Sequence, residues 1–403
     1  MNIGIVTTWF ERGAAYVSKQ FEQALKSSHV VFIYGRGGEL QAKKDPNWNA
    51  GNVHWGKKIY SPFLATVIDK KDFIRWIKQN NIEVVLFNEQ HWWMPILWCR
   101  QLGVKTVCYV DYYKKETLSL FANYDLLICN TERHMQAFHF IADKTVYLPW
   151  GTNVDLYQPG KAPQKDCVVF FHSCGMDPYR KGTDLVLKAF NELKSPAQLV
   201  IHTQVSVSEI FPHLNELIKR LENEKRLEVI QKTVHAPGLF YMGDVYVYPS
   251  RLEGVGLTIA EALASGLACI VPDNGPMNEF VTYECGALIK IARQYCRQDA
   301  YYWPECEIDT NDLTEIMENM AQNPQGLSIM KANARQHALE KLNWKINSAK
   351  IKDVFNNLNL KKIDNQLSAS SIIDFENRGK RKIINKLVPY HRLLKLLKNV
   401  LPA

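Results

Sequence analysis

The chain has 403 residues, 46% hydrophobic and 22% charged, values ordinary for a globular protein and incompatible with a fibrous or wholly disordered one. The net charge of +8 is local: residues 378–403 hold eight Lys/Arg and no acid, leaving 41 basic and 41 acidic residues elsewhere. A neutral body with a basic tail excludes a protein that coats nucleic acid with its whole surface.

Short β-branched runs open the chain and recur: Ile3–Val6, Val30–Tyr34, Val84–Phe87, Thr106–Val110 and Leu126–Cys129, each the length of a buried parallel strand. Met1-Asn2 runs directly into the first, so no secretory leader is expected. Amphipathic segments lie between the runs, such as Tyr16–Leu25 with Val17, Phe21 and Leu25 on one face. A turn-rich stretch with Pro149, Gly151, Pro159, Gly160 and Pro163 then predicts a linker, with a hinge near 150–165. The alternation restarts with strands at Val168–Phe171, Leu199–Ile201, Leu227–Ile230, Val245–Tyr248 and Ala268–Val271, and helices at Thr183–Leu193, Leu257–Ser265 and Leu313–Met320. Two doubly wound α/β domains are therefore expected, over 1–155 and 156–345, followed by a terminal helix over 346–362 that returns to the first domain and a basic tail over 363–403. Beyond Lys361 the pattern weakens, and partial disorder is expected there. No run of about 18 apolar residues predicts a spanning helix. Nine cysteines stand singly with no C-x-x-C pair, which argues against a disulfide framework or zinc knuckle and for a reducing, cytoplasmic setting.

The chemistry concentrates in Pro249-Ser250-Arg251-Leu252-Glu253-Gly254-Val255-Gly256-Leu257-Thr258-Ile259-Ala260-Glu261, a loop between a strand and a helix. Two glycines allow close backbone approach, and the free N–H groups at the start of the Leu257 helix make an anion site. Glu253 before that end and Glu261 inside it border the same anion, placed to accept bonds from hydroxyls on either side. A nucleotide sugar has that layout. The bland alternative is a solvated loop acid and a helix-surface acid.

Glu253-x7-Glu261 resembles the signature of retaining GT-B glycosyltransferases of family 4. The likeness continues through Asp273-Asn274-Gly275-Pro276, Glu279-Phe280-Val281 and Cys285-Gly286. Upstream, Leu148-Pro149-Trp150-Gly151 resembles the start of the family's second domain, and Gly175 to Lys181-Gly182 its phosphate-binding loop. Thr7–Val17, with Gly13, is similar to its N-terminal glycine loop, and Trp344 to the aromatic that opens its terminal helices. The resemblance spans roughly 1–360 and is densest over 145–290. It implies a GT-B fold, two Rossmann-like domains facing across a cleft, and transfer of a sugar from a nucleotide diphosphate sugar to an acceptor hydroxyl with retention. It implies no cofactor beyond that substrate and no metal, in keeping with the missing Asp-x-Asp signature. The acceptor is a saccharide or a lipid-linked one, the setting is cell-surface polysaccharide or glycolipid synthesis, and no nucleic acid is involved. The alternatives are a catalytically silent nucleotide-binding subunit and a nucleotide-sugar epimerase.

Residue by residue, the resemblance places Glu253 on the donor sugar, Glu261 on the ribose and Lys181 on the diphosphate, with Gly254, Val255, Gly256, Leu257, Thr258, Gly13 and Glu279 on the donor side. Two positions depart from the family. Met176 follows Gly175 where the family has arginine, with Arg180 as the substitute charge. Val110-Asp111-Tyr112 stands where it has histidine, with Asp111, Glu89 or His91 as the assisting group. Glu279 alternatively caps a helix. The aromatics Trp92, Trp93, Trp98, Tyr109, Tyr112 and Tyr113 are either core or an acceptor wall, with His91, Trp92 and Tyr112 as acceptor candidates. Gly35-Arg36-Gly37-Gly38 lacks the G-x-G-x-x-G of a nicotinamide site. In the tail, Lys380 to Leu387 and Leu393 to Lys398 alternate apolar and basic residues. That pattern suits either an anionic membrane surface or a helix packed on the body.

Overall fold

The structure is a computed structural model that describes residues 1–10, 13–37, 40–59, 66–161, 166–358 and 365–390. Seven strands make one parallel sheet: β1 (Asn2–Thr7), β2 (Val30–Gly35), β3 (Val53–Trp55), β4 (Val84–Asn88), β5 (Lys105–Tyr109), β6 (Leu126–Cys129) and β7 (Thr145–Tyr147). Their order is β3-β2-β1-β4-β5-β6-β7, with Ile3 opposite both Val31 and Val84. Ile3, Ile5, Val84, Leu86 and Phe87 are fully buried, as strands covered on both faces must be. The sequence pattern shows neither β3 nor β7, which have three residues each and are only half buried, too short and too mixed for a period to emerge.

The second sheet runs through β8 (Val168–Gly175), β9 (Ala197–Thr203), β10 (Leu227–Gln231), β11 (Val245–Val247), β12 (Ala268–Pro272) and β13 (Gly286–Ile289), in the order β10-β9-β8-β11-β12-β13. Both sheets are doubly wound α/β layers, as the alternation predicts. Each reverses direction beside its first strand, where such layers place ligand-binding loops at the carboxyl edge. An antiparallel hairpin that the sequence pattern does not show, β14 (Ile291–Tyr295) and β15 (Glu305–Ile308), follows the second sheet.

The chain divides into two units: Met1–Asn130, His134–Leu148 and Ser348–Ala403 form one, Thr131–Arg133 and Pro149–Asn347 the other. The boundary thus falls near 148 rather than 155. The described part of the expected linker is fastened inside the second unit. Arg335 donates to the carbonyls of Val154, Tyr157 and Ala264, Thr152 pairs with Asn343, and the Trp150 and Trp344 rings lie 4.3 Å apart.

The expectation of disorder beyond Lys361 is corrected for the described residues, where helices form at Asn365–Glu376 and Gly379–Leu387. They bury Ile372 and Ile384 in the first unit. The buried Glu376 carboxylate accepts from Trp93 N–H at 2.9 Å and Arg381 at 2.8 Å. Asn385 accepts from the Trp92 indole at 2.9 Å. Apolar anchors in these two helices are too sparse for a strong periodic signal; polar bonds to the body do the rest. Residues 379–387 therefore follow the packed-helix alternative, while Leu393 to Lys398 lie outside the described residues. Among the described residues no helix is long and apolar enough to cross a membrane.

Candidate functional site

Strand β11 leads into the loop of Tyr248 to Gly256, and the helix Leu257–Ala264 begins at Gly256, whose φ of +89° only glycine adopts without strain. Strand β8 leads into a second loop that ends at Gly182, φ +73°, where a Cβ would sit 2.3 Å from the Pro249 carbonyl oxygen. The two loops are thus pressed together, backbone against backbone. Arg251 N–H donates to Arg180 O at 2.7 Å, and Ser250 Oγ donates to the same oxygen at 3.1 Å. A buried bidentate pair closes the clasp: Arg251 donates to both Asp184 oxygens at 2.9 Å, under the Tyr179 ring.

This clasp brings Glu253, Arg180 and Lys181 together. One buried oxygen, Glu253 Oε1, accepts from Lys181 Nζ, from Arg180 Nη1 at 3.1 Å, from Ser250 Oγ at 2.6 Å and from Tyr248 OH at 2.9 Å. Lys181 also donates to the Tyr248 hydroxyl. Burial pushes the Glu253 carboxyl up, but Lys181 and then Arg180 outweigh it, and the group sits below the usual carboxylate range. Burial likewise pulls the Lys181 ammonium below its ordinary value, against the pull of Glu253. Two cations thus meet one buried carboxylate beside the start of the Leu257 helix. Arg180, a substitute for the family's arginine on sequence grounds, turns inward to Glu253 and the Leu252 carbonyl and is also bonded to Asp177.

Glu261 lies one turn inside that helix. Burial raises its carboxyl to about 7, with a bond from Tyr157 opposing. Together with Thr258, Ser173, His202 and Tyr157 it lines a cavity of about 180 Å³ at the carboxyl edge of the second sheet. Below the site, buried His172 is held between the Val247 carbonyl and Thr183 Oγ1, both at 2.8 Å, and burial lowers it to about 4. A neutral imidazole therefore supports the loops. A Cβ at Gly254 would meet nothing within 4 Å, so its freedom is room for a neighbour rather than strain. Val255 packs against the core below, and Leu257 and Thr258 form the first helical turn.

Glu279 is elsewhere engaged: its carboxylate accepts from the backbone N–H groups of Glu132 at 2.6 Å and Arg133 at 3.0 Å, in line with the capping alternative. Sequence reasoning missed Arg133. Its guanidinium donates to the carbonyls of Gly275 and, at 2.8 Å, Glu253, so it ties the Glu253 loop to the Gly275 loop. No local pattern marks it, since its partners are more than a hundred residues away. Ser250 and Arg251 stand inside the motif, but nothing in its spacing tells their roles.

The remaining candidates sit at the carboxyl edge of the first sheet. Arg36, 4% exposed, donates to the carbonyls of Asn88 at 2.9 Å and Glu89 at 2.8 Å and to Thr8 Oγ1 at 2.9 Å. Burial, then Glu89, raises the Asp111 carboxyl to about 7, with Arg36 opposing. Burial, then Arg36, Arg381 and Lys114, lowers His91 to about 4. The His91 and Tyr112 rings meet edge to face at 5.4 Å. Gly13 opens the first helix, exposed, and a Cβ there would meet nothing within 4 Å among the described residues. Trp92, Trp93, Trp98, Tyr109 and Tyr113 are all under 5% exposed, which makes them core. With its N–H on Asn385 and Trp98 edge-on at 5.2 Å, Trp92 offers no sugar wall.

Residues 159–294 match the family model described as glycosyl transferases group 1, about a third of the chain and the part that holds the Glu253 cluster. No curated protein matches the chain. Among solved structures, the chain is similar to a glycosyltransferase from Rickettsia africae, with TM-score 0.71 and 14% identity over 90% of this chain and 99% of that one. It is similar also to HepE from Anabaena in complex with UDP-glucose, with TM-score 0.64 and 14% identity over 88% and 99%. A third is the lipopolysaccharide outer core galactosyltransferase WaaB, with TM-score 0.66 and 14% identity over 88% and 99%. At such identities the likeness is one of fold: the chain has the GT-B fold, and its second unit carries the stretch shared with the glycosyl transferases group 1 model.

Proposed function

We propose that the protein is a retaining, metal-independent glycosyltransferase of family 4 that moves a sugar from a nucleoside diphosphate sugar to an acceptor hydroxyl. The observation that carries this reading is the Glu253 cluster: two fixed cations on a carboxylate, at the start of a helix, inside the family-matched stretch. A diphosphate takes Lys181 and Arg180 from Glu253, which then turns to the hydroxyls of the sugar. Glu261 accepts from the ribose hydroxyls, with the base in the cavity that Thr258 and Tyr157 line. As the anomeric carbon–oxygen bond breaks, charge builds on the diphosphate, and the cations and helix N–H groups stabilise it. The acceptor oxygen attacks from the same face, and the departing phosphate oxygen takes its proton. Asp111, His91 and Tyr112 assist on the acceptor side.

The relatives lend this reading a setting. One binds UDP-glucose and another is a lipopolysaccharide galactosyltransferase. We place this chain in cell-surface polysaccharide or glycolipid synthesis at the cytoplasmic face of a membrane, with residues 391–403 as the anionic-surface contact. Removing those residues should lower association with anionic liposomes at low salt and leave nucleotide binding unchanged; equal association would reject the contact. The chemistry is tested by incubation with a panel of nucleotide sugars and simple saccharides, with the anomeric proton of each product read by NMR. Transfer or slow hydrolysis with retention supports the reading. An epimerised sugar, an inverted product, or binding without turnover rejects it.

A further inference from the structure

Strand β11 and the residue that follows it place a pair of tyrosines beneath the Glu253 loop. Tyr246 and Tyr248 stand two residues apart and so share a face of the extended chain. Their rings stack at 5.2 Å with 21° between the planes, and both are buried, at 0% and 1% exposed. Tyr246 OH lies 3.3 Å from Ser173 Oγ on β8. The Tyr248 ring is thereby held rigidly, and its hydroxyl meets Glu253 and Lys181.

A count of protons sets Tyr248 apart from the other groups around Glu253. Oε1 takes bonds from Lys181, Arg180, Ser250 and Tyr248, while Oε2 accepts none among the described residues. A hydroxyl has a single proton to donate. That of Ser250 is divided among three acceptors: Arg180 O at 3.1 Å, Leu252 O at 3.3 Å and Glu253 Oε1 at 2.6 Å. That of Tyr248 goes to Glu253 Oε1 at 2.9 Å, since Lys181 is itself a donor to the tyrosine oxygen.

Four donors on one oxygen exceed its two lone pairs. When a diphosphate draws Lys181 and Arg180 away, Oε1 keeps two: Ser250, whose proton can turn to a carbonyl, and Tyr248, whose proton stays. A buried carboxylate oxygen left short of donors costs more than the single bond it has lost.

We propose that Tyr248 is the positioning residue of Glu253: its hydroxyl holds Oε1 in place while the cations pass to another anion, and it leaves Oε2 for the incoming ligand. The passage of the cations rests on the proposed diphosphate site; the restraint of Glu253 in the free chain does not. Loss of the hydroxyl is felt little while four donors are present and strongly once two have left. It therefore falls on the bound state, although the tyrosine donates to Glu253 and not to the ligand.

Calorimetric titrations with inorganic pyrophosphate, UDP, ADP and GDP compare the parent, Tyr248→Phe, Glu253→Gln and the double variant. For each anion that binds, Tyr248→Phe should weaken binding about fivefold or more in the parent. Beside Glu253→Gln it should weaken binding by less than about twofold, because a neutral amide has less need of a donor. A tyrosine that merely packs would weaken both alike, and recovery in the double variant also shows that phenylalanine is accommodated in the fold. The proposal is overturned if Tyr248→Phe leaves affinity unchanged or lowers it equally in the two backgrounds. If a nucleotide binds without the background dependence, the donor site stands and Tyr248 is not its positioning residue. If pyrophosphate shows the dependence in a chain that binds no nucleotide, Tyr248 keeps its role and the donor site is rejected. Binding of none of the four overturns both.

Discussion

The two sheets end in clusters of charge that look alike in sequence and differ in kind. At the carboxyl edge of the first sheet, Arg36 gives its donors to the carbonyls of Asn88 and Glu89 and to a threonine hydroxyl, partners that fix the ends of strands. At the edge of the second, Arg180 and Lys181 give donors to a carboxylate. A backbone carbonyl cannot be exchanged without unfolding something; a carboxylate can be exchanged for another anion. By this measure Lys181 is the clearer binding cation, since Arg180 also holds the Leu252 carbonyl.

That contrast can be broken at several points. The largest effect is expected at the clasp. Arg251→Met leaves the Asp184 carboxylate buried without its bidentate partner, a loss of about 3–5 kcal/mol, whereas Arg251→Met with Asp184→Leu should recover most of it. Chemical unfolding of the three chains checks this; equal stability of the single and double variants would show that the pair holds nothing.

Next comes Glu261→Ala, which should cost about 1.5–3 kcal/mol of donor affinity, or roughly ten- to a hundredfold. Because burial holds the free carboxyl near 7 and ribose hydroxyls favour its charged form, donor affinity should fall as pH drops below about 7. Glu261→Gln should lose that dependence. Calorimetric titrations between about pH 6 and 8 read both; a dependence that survives in Glu261→Gln belongs to another group.

A smaller effect is expected in the first unit. The Asp111 carboxyl is raised from 3.8 to about 7, so the folded chain holds this proton more tightly than the unfolded chain does. Its stabilising contribution is fully present below about pH 4 and is lost as pH rises through about 7. Asp111→Asn should match the parent at about pH 4 and exceed its stability at about pH 8 by about 1–2 kcal/mol, discounted for partial exposure. Unfolding midpoints at the two values decide it; a variant less stable at the higher pH would mean that the Tyr112 N–H and Arg36 outweigh burial there.

Much of this is legible in the amino-acid order alone. Both α/β layers follow from β-branched runs such as Val84–Phe87, and Glu253 and Lys181 from glycine-framed loops, because those signals are local. The bonds of Arg133 to Gly275 and of Trp92 to Asn385 are not, since each spans more than a hundred residues and rests on single side chains. The tail misleads for a related reason. Lys380 to Leu387 has a surface-binding pattern, but His91 and Trp92 supply partners that no window on the tail contains. Among the aromatics, composition locates a cluster and leaves open which rings are exposed; burial decides that, and it places Trp92, Trp93 and Trp98 in the core.

The exchange of anions at Glu253 is tested most directly by the affinity for UDP alone, measured calorimetrically in the parent, Lys181→Met and Glu253→Gln. UDP lacks the transferred sugar, so Glu253 contributes nothing to its binding except competition for the cations. Lys181→Met should bind about tenfold or more weakly, and Glu253→Gln should bind as tightly as the parent or several-fold more tightly. Weaker binding in Glu253→Gln, or no change in Lys181→Met, would contradict the assignment of this cluster as the diphosphate site.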